Sequence, residues 1–99
     1  MKKIEAIISS SKFEAVRKAL SDIGIDFFTY SETTGVGNEM TNSSLRQHIT
    51  YSICYMPRQL LSIIVHDENL QKAIDCIHNV ARTGVIGDGK IFVSNVLEA

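Results

Sequence analysis

The sequence has few of the residues that stabilise small secreted proteins or bind metals. Its 99 residues include one proline, no tryptophan and only two cysteines, Cys54 and Cys76. Because there is no Cys-x-x-Cys pair, two buried or half-buried thiols in a reducing compartment explain them better than a disulfide or a metal site. The three histidines, His48, His66 and His78, have no recognised ligand spacing. We therefore expect no metal site formed by this chain alone.

The sequence also lacks an excess of charge of either sign and has no long apolar run. Ten basic and eleven acidic residues give a net charge of −1, so the composition does not indicate nucleic-acid binding. The apolar run at residues 60–65 has the length of a strand and is far shorter than a membrane span. Residues 1–8 carry an internal acidic residue and no cleavage pattern, which indicates a strand and not a signal peptide. We expect a cytoplasmic protein that does not insert into membranes.

The length and composition favour one globular domain. Hydrophobic residues make up 44% of the chain and charged residues 21%, as in ordinary globular proteins. A domain of this size buries only roughly two-thirds of its unfolded surface. Small domains without disulfides often gain further burial by oligomerisation. We therefore expect a single domain over residues 1–99 that self-associates.

Hydrophobic periodicity predicts a strand, a helix and a second strand in the first third of the chain. Apolar residues alternate over 3–8, as in a strand buried mainly on one face. Ser11 and Glu14 have the spacing of a capping box, and an apolar helix face follows them up to Gly24. Residues 25–34 are rich in β-branched and aromatic side chains, which predicts the second strand.

The middle of the chain predicts a long polar loop followed by a long strand. Residues 35–50 are polar and glycine-containing, and a loop of that length in a compact domain is usually functional or disordered. Alternation resumes at residues 51–65. Pro57 within that stretch predicts an edge position or a bulge, since proline cannot donate to a ladder.

The last third predicts a helix and a strand, which completes the fold class. Asp67 is expected to cap the helix, with Arg82 in its last turn and Gly84 ending it. Residues 90–93 then form the fourth strand. The order strand, helix, strand, strand, helix, strand is the α+β, ferredoxin-like βαββαβ arrangement, with an antiparallel sheet and both helices on one face.

One segment carries a possible ligand site. Residues 83–93 read Thr-Gly-Val-Ile-Gly-Asp-Gly-Lys-Ile-Phe-Val. Gly87 and Gly89 leave backbone amides accessible to a phosphate, and Lys90 adds a positive charge beside them. On spacing alone, a tight helix-to-strand turn that needs small residues explains the glycines better.

Over the whole chain to about Val96, however, the sequence resembles the PII family of signalling proteins. Residues 83–93 look like that family's nucleotide-binding loop, and residues 1–8 look like its first strand. Further family positions match without a gap, at Gly24, Ile25, Glu32, Gly35, Gly37, Tyr51 and Pro57.

The resemblance implies a homotrimer with ADP or ATP bound in clefts between subunits. Residues 83–90 are the implied nucleotide-binding loop, of which 87–90 hold phosphates. The start of the long loop forms a wall, and four residues frame the adenine. The implied nucleotide-binding residues are Thr29, Gly35, Gly37, Asn38, Ser62, Ile63, Ile64, Gly87, Asp88, Gly89 and Lys90.

Some positions depart from the family pattern. Ser62 stands where the family has a glutamate, and Asn38 where it usually has an arginine. The sequence also ends at Ala99, before an arginine pair expected from the family. Each lost charge-assisted contact is worth about 1.5–3 kcal/mol, and Arg58 and Arg82 are the expected auxiliary phosphate contacts.

Residues 37–50 resemble the family's partner-binding loop, whose partners are membrane transporters, their regulators or metabolic enzymes. Glu39 replaces a glutamine that bridges metal and 2-oxoglutarate, and Arg58 replaces a lysine that holds the acid. We therefore expect insensitivity to 2-oxoglutarate, while a role for Mg²⁺ stays open. Tyr51 matches a tyrosine that some members modify, although a strand-forming residue explains it more simply.

Three hypotheses follow. The first is a PII-like regulator that senses ADP or ATP and is not an enzyme. The second is an interaction-only trimeric module that has lost nucleotide binding. The third is a small ferredoxin-like enzyme, which is disfavoured because the sequence has no nucleophile–base pair or paired acids.

Overall fold

The computed structural model of the chain describes residues 1–43, 48–82 and 89–98, with side chains described outside 37–43 and 48–54. The sheet is antiparallel throughout, in the order β2-β3-β1-β4, and this arrangement confirms the predicted ferredoxin-like fold. The elements are β1 (Lys2–Ser9), α1 (Phe13–Asp22), β2 (Thr29–Ser43), β3 (His48–Val65), α2 (Leu70–Ala81) and β4 (Gly89–Asn95).

The hydrophobic core lies between the two helices and one face of the sheet. On β1, Ile4, Ala6 and Ile8 are buried while the residues between them are half-exposed, so alternation places one set under the helices. Both helices are amphipathic and turn their apolar faces to this layer. The core residues are Ile4, Ala6, Ile8, Val16, Leu20, Leu61, Ile63, Val65, Ala73, Ile77 and Ala81.

The predicted capping box at the start of α1 is wrong. A 3₁₀ turn, Ser10–Lys12, precedes the helix, and no side chain caps either element. The Ser11 hydroxyl lies 3.1 Å from the hydroxyl of Ser9, and the Glu14 carboxylate pairs with Arg17 at 3.0 Å. The backbone of the turn leads into the helix, so the serine is not needed as an N-cap.

The end of α1 agrees with the sequence, whereas the predicted start of β2 is wrong. Gly24 follows the helix with φ of +88°, the left-handed conformation expected for a helix-ending glycine. The amide of Ile25 donates to the Leu20 carbonyl at 2.8 Å. Ile25 and Phe28 then pack against the core. Residues 25–28 therefore pack back against the core and do not form a strand, and β2 begins only at Thr29.

The polar loop predicted over residues 35–50 is wrong for 35–43 and 48–50, which form strands. β2 pairs with β3 from Thr29 opposite Ser62 to Ser43 opposite His48. Cross-strand bonds satisfy the backbone of this hairpin, so its polar side chains do not prevent strand formation. Within the predicted partner-binding loop 37–50, residues 44–47 lie outside the described part of the chain.

Pro57 occupies an edge position, as predicted. The pairing of β1 with β3 ends at Ser9 opposite Arg58, and Pro57 lies one residue beyond it. There β3 keeps only β2 as a neighbour, with Thr34 opposite the proline. The proline's missing N–H therefore costs no bond to β1.

The ends of α2 also differ from expectation. Asp67 does not cap the helix, because a 3₁₀ turn, Asp67–Asn69, comes first. Its carboxylate instead lies 3.1 Å from the amino group of Met1. Arg82 follows the last helical residue in an extended conformation and is not within the last turn. The predicted end at Gly84 lies outside the described residues.

The pairing of Asp67 with the amino terminus gives a testable dependence of stability on pH. The hydrogen bond and charge of the Met1 ammonium group lower the pKa of Asp67 below its ordinary value of 3.8. A lowered pKa in the folded state means that the stabilisation is present above that value and is lost as the pH falls.

We expect Asp67→Asn to lower the urea midpoint slightly near pH 6 and to have no effect near pH 2 to 3. Glu68→Gln is the control, because this neighbour is exposed and removes the same charge. An equal effect of both variants at every pH would contradict a specific pairing.

Two remaining features concern thiols and membranes. Cys76 is a free, half-buried thiol, as expected, and burial together with Asp22 raises its pKa. The side chain of Cys54 lies outside those described. Over residues 1–43, 48–82 and 89–98, no helix is both long and apolar enough to cross a membrane.

Candidate functional site

Gly89 opens β4 at a point where only glycine fits. Its φ is +140°, which side-chain-bearing residues rarely adopt. A Cβ at this position would overlap the carbonyl oxygen of Ile7 and lie 3.1 Å from its carbonyl carbon. The two backbones therefore approach so closely that β4 can join β1 with Gly89 opposite Ile8.

A cleft of about 350 Å³ lies where the end of α2 meets the start of β4. Its floor is apolar, because residues of the core and of strand ends line it. Arg82 and His78 line it from the end of α2, and Lys90 lines it from the start of β4, where the register places the lysine side chain on the same sheet face as Ile7. The residues described around it are Ile7, Ile8, Ile74, Ile77, His78, Ala81, Arg82, Gly89, Lys90 and Ile91.

The charged side chains among the described lining residues are both basic, Arg82 and Lys90, although the whole chain carries a net charge of −1. None of its described lining residues is acidic. Lys90 and Arg82 are both exposed, so their charges are available to a ligand in water. A cleft with an apolar floor and a cationic rim suits an anion attached to an apolar group.

The cleft contains three residues that matter for the sequence-based site. Gly89, Lys90 and Arg82 were predicted to contact phosphate, and all three are among the residues that line the cleft. His78 was passed over in the sequence because its spacing matched no metal site. Gly87 and Asp88 lie outside the described residues.

The predicted adenine-framing residues lie elsewhere in the sheet. Thr29 is opposite Ser62, and Ser62 is opposite Glu5, so these side chains share the face that the helices leave open. Ile64 is 46% exposed on that same face. Ile63, by contrast, is fully buried under the helices, so only its backbone can reach a ligand.

The adenine-framing residues and Lys90 do not form one pocket within a chain. Strands β1 and β3 lie between Lys90 and Thr29. At about 4.8 Å per strand spacing the two backbones are roughly 14 Å apart. Thr29, Ser62 and Ile64 are absent from the described lining of the cleft.

The remaining predicted residues lie along the hairpin. A Cβ at Gly35 would come within 3.2 Å of the Cγ of Arg58, so this glycine leaves room for the arginine stem. Arg58 is 9% exposed, and its guanidinium donates to the sulfur of Met56 at 3.4 Å. Arg58 therefore lies against the base of the hairpin.

Three predicted residues lie farther along that hairpin, where only the backbone is described. Gly37 is opposite Cys54 and Asn38 is opposite Ile53 on the neighbouring strand. Tyr51 lies within β3, opposite Met40. The nucleotide-binding and modification roles of these residues stay predictions.

Metal ligands are not grouped in the part of the chain that the structure describes. No group of three or more His, Cys, Asp or Glu side chains there is arranged to hold an ion. A magnesium ion at this cleft would therefore have to be held mainly by ligand phosphates and water, which is its usual preference.

Comparisons with known proteins agree with this architecture. Residues 1–99 match the family described as Nitrogen regulatory protein P-II. The chain is 41% identical over 99 residues to the nitrogen regulatory protein P-II of Bradyrhizobium diazoefficiens, covering 100% of this chain and 88% of that protein. It is 42% identical over 98 residues to that of Rhizobium meliloti, covering 99% and 88%.

A solved structure is similar to this chain over nearly its whole length. B. subtilis GlnK aligns with a TM-score of 0.76 at 26% identity, covering 97% of this chain and 84% of that chain. The family match, these relatives and the shared topology agree over nearly the full length. The chain therefore belongs to the PII family and is a regulatory signalling protein with a ferredoxin-like fold.

Proposed function

We propose that this chain forms a cytoplasmic homotrimer that senses ADP or ATP and regulates a partner protein, a membrane transporter or a metabolic enzyme. The observation that carries the proposal is the cleft at the end of α2, which is lined by Gly89, Lys90 and Arg82 and by no acidic residue among those described. Its chemistry suits the phosphates of a nucleotide.

The phosphate end of the site has two kinds of donor. Lys90 supplies a flexible ammonium group, and Arg82 supplies a planar guanidinium that can bind two phosphate oxygens at once. Charge-assisted contacts of this kind are worth about 1.5–3 kcal/mol each.

The adenine end of the site comes from a neighbouring subunit. Within one chain, Thr29 and Ser62 lie on the open face of the sheet, two to three strands away from Lys90. A second subunit that covers this open face brings its own cleft toward them. The proposal therefore requires the trimer.

The hairpin of β2 and β3 is the proposed partner-binding element. The chain measures 54 Å along its longest axis against 26 Å and 21 Å along the others. Apolar side chains are exposed on the hairpin, with Val36 at 66% and Tyr55 at 69%. Such exposed apolar groups on a projecting element are typical of a protein–protein contact. We do not expect 2-oxoglutarate to act on it, because Glu39 is anionic.

Calorimetric titration with ADP, ATP and AMP, each with and without Mg²⁺, tests the ligand. We expect ADP or ATP to bind at submillimolar concentration. Heat from 2-oxoglutarate added to protein saturated with Mg²⁺ and ATP would contradict the expected insensitivity. If no nucleotide binds at millimolar concentration, the interaction-only alternative replaces nucleotide sensing.

The trimer has its own test, based on the open face of the sheet. Phe92 is 53% exposed there, beside Glu5, and Ile64 on the same face is 46% exposed. We expect light scattering to give three times the chain mass of 11.0 kDa for the wild type. Phe92→Glu buries a charge in that interface and is expected to give monomers at micromolar concentration.

Phe27→Glu is the matched control for this experiment. Phe27 is 92% exposed, but it precedes β2 and is not part of the open face. We expect this variant to remain trimeric. A monomeric wild type, or equal dissociation by both variants, would reject the trimer built on this face.

A further inference from the structure

Another cavity, separate from the cleft at the end of α2, lies between α1 and the segment that leads into β2. Its volume is about 290 Å³, just below the usual range for small-molecule pockets, so it suits one side chain better than a whole ligand. Aromatic rings form part of its wall. The described lining residues are Phe13, Glu14, Arg17, Ser21, Ile25, Asp26, Phe28 and Tyr30.

The chain concentrates its aromatic side chains at this cavity. Three of its four phenylalanines, Phe13, Phe27 and Phe28, lie in or beside it, together with Tyr30. The rings of Phe13 and Tyr30 are in contact, with their centroids 4.6 Å apart. Phe27 lies between two lining residues in the sequence and is 92% exposed. An exposed aromatic ring next to an aromatic-walled cavity is typical of a protein-binding surface.

The polar side chains of the cavity favour a cation. Among its described lining residues, Glu14 and Asp26 are acidic and Arg17 is basic. Arg17 bonds to Glu14 at 3.0 Å, so these two charges offset each other. Asp26 accepts a hydrogen bond from the neutral hydroxyl of Ser21 at 2.7 Å, which orients the carboxylate without offsetting its charge. An oriented carboxylate beside aromatic rings suits a guanidinium group, which can bond to the carboxylate and stack on a ring.

The cavity is on the side of the sheet that the proposed trimer leaves uncovered. Tyr30 is opposite the core residue Leu61 and lies on the helix side, whereas Thr29 belongs to the open face. Glu14 and Arg17 are exposed on α1. A trimer built on the open face therefore keeps the cavity accessible to another protein.

We propose that this cavity binds an arginine side chain of a partner protein, with apolar residues of the same partner segment packed on Phe27. Asp26 bonds to the guanidinium, and the rings of Phe13 and Tyr30 contact its apolar stem. The charge of the lining selects a cationic anchor. Phe27 lies outside the lining, where a ligand confined to the cavity would not cover it. The surface is distinct from the nucleotide cleft and from the hairpin, so the contact does not depend on nucleotide.

Nuclear magnetic resonance with a short arginine peptide, in the absence of nucleotide, tests this assignment. The probes are acetyl-Ser-Leu-Arg-Leu-Ser-amide and its citrulline analogue, which has nearly the same shape but no charge. We expect the arginine peptide to shift the ring signals of Phe13 and Tyr30. We also expect it to bind about three- to tenfold more tightly than the citrulline peptide, because only arginine pairs with the carboxylate.

Two variants separate the charge contact from the apolar contact. Asp26→Asn is expected to lower the affinity for the arginine peptide to that for the citrulline peptide, which itself stays unchanged. An asparagine oxygen can still accept from Ser21, so the local structure is kept. Asp22→Asn is the matched control, because Asp22 is exposed on α1 and lies outside the described lining. Phe27→Ala is expected to weaken both peptides equally, by about two- to fivefold, since it packs on their leucines.

Agmatine, a free guanidinium on a short apolar chain, distinguishes a partner segment from a small ligand. We expect it to bind more weakly than the arginine peptide and to be unaffected by Phe27→Ala. Agmatine binding as tight as that of the peptide would overturn the assignment to a protein partner. Equal affinities for the arginine and citrulline peptides, equal effects of Asp26→Asn and Asp22→Asn, or no ring shifts with any probe would also overturn it. If light scattering gave twice the trimer mass and Phe27→Ala halved it, a second copy of the assembly would occupy the cavity and the assignment would be wrong.

Discussion

Replacing Gly89 with alanine is expected to destabilise the fold by about 3–5 kcal/mol and to abolish nucleotide binding. The new Cβ would overlap the carbonyl oxygen of Ile7, which belongs to the central strand β1 and cannot move without breaking the sheet. The φ of +140° adds backbone strain. Urea unfolding followed by circular dichroism, with calorimetry on the folded fraction, measures both effects.

Gly24→Ala is the control for this variant. Gly24 also has a positive φ, of +88°, but nothing lies within 4 Å of a Cβ built there. Only the strain remains, so we expect a loss of about 1 kcal/mol and unchanged nucleotide binding. If Gly89→Ala were no less stable than Gly24→Ala, the close approach of β4 to β1 would not be the reason for the glycine.

The order and type of the elements were predictable from the sequence because they depend on local periodicity. Alternation at residues 3–8 and the helical spacing before Gly24 each report on one buried face. The same information yields the ferredoxin-like fold. The boundaries were less predictable, since Ser11 and Asp67 are residue types that often cap helices but here lie within the 3₁₀ turns that precede α1 and α2.

The long hairpin was missed for a different reason. Residues 35–43 are polar, and their strand conformation depends on pairing with residues 48–56 and not on their own propensity. Composition describes side chains one at a time, whereas a ladder of hydrogen bonds joins the backbones of two strands. A pattern that looks like a loop can therefore be a strand.

The candidate site was predictable in part. Gly89 and Lys90 belong to a recognisable glycine signature, and Arg82 was predicted as an auxiliary phosphate contact. His78 has no signature of its own, because its place in the lining of the cleft depends on where α2 ends relative to the start of β4. Ile63 was predicted to frame the adenine, but its side chain lies in the core. Its neighbours Ser62 and Ile64 lie on the open face of the sheet.

Lys90→Ala is expected to weaken ADP or ATP binding by tenfold or more. Lys90 is exposed at the start of β4 and is among the residues that line the cleft, so its charge is available to a bound phosphate. A charge-assisted contact contributes about 1.5–3 kcal/mol, which corresponds to roughly ten- to 150-fold in affinity. Calorimetry measures the change, and light scattering checks that the assembly is intact.

Lys72→Ala is the matched control, because Lys72 is equally exposed on α2 but is not among the described residues that line the cleft. It removes the same long-range charge, so any general electrostatic effect appears in both variants and is screened by salt. The difference between the two variants is expected to persist at high ionic strength, because a direct contact is screened less than a distant one. Equal losses for Lys90→Ala and Lys72→Ala would show that only the net charge of the chain attracts the nucleotide, and the phosphate site would then have to lie outside this cleft.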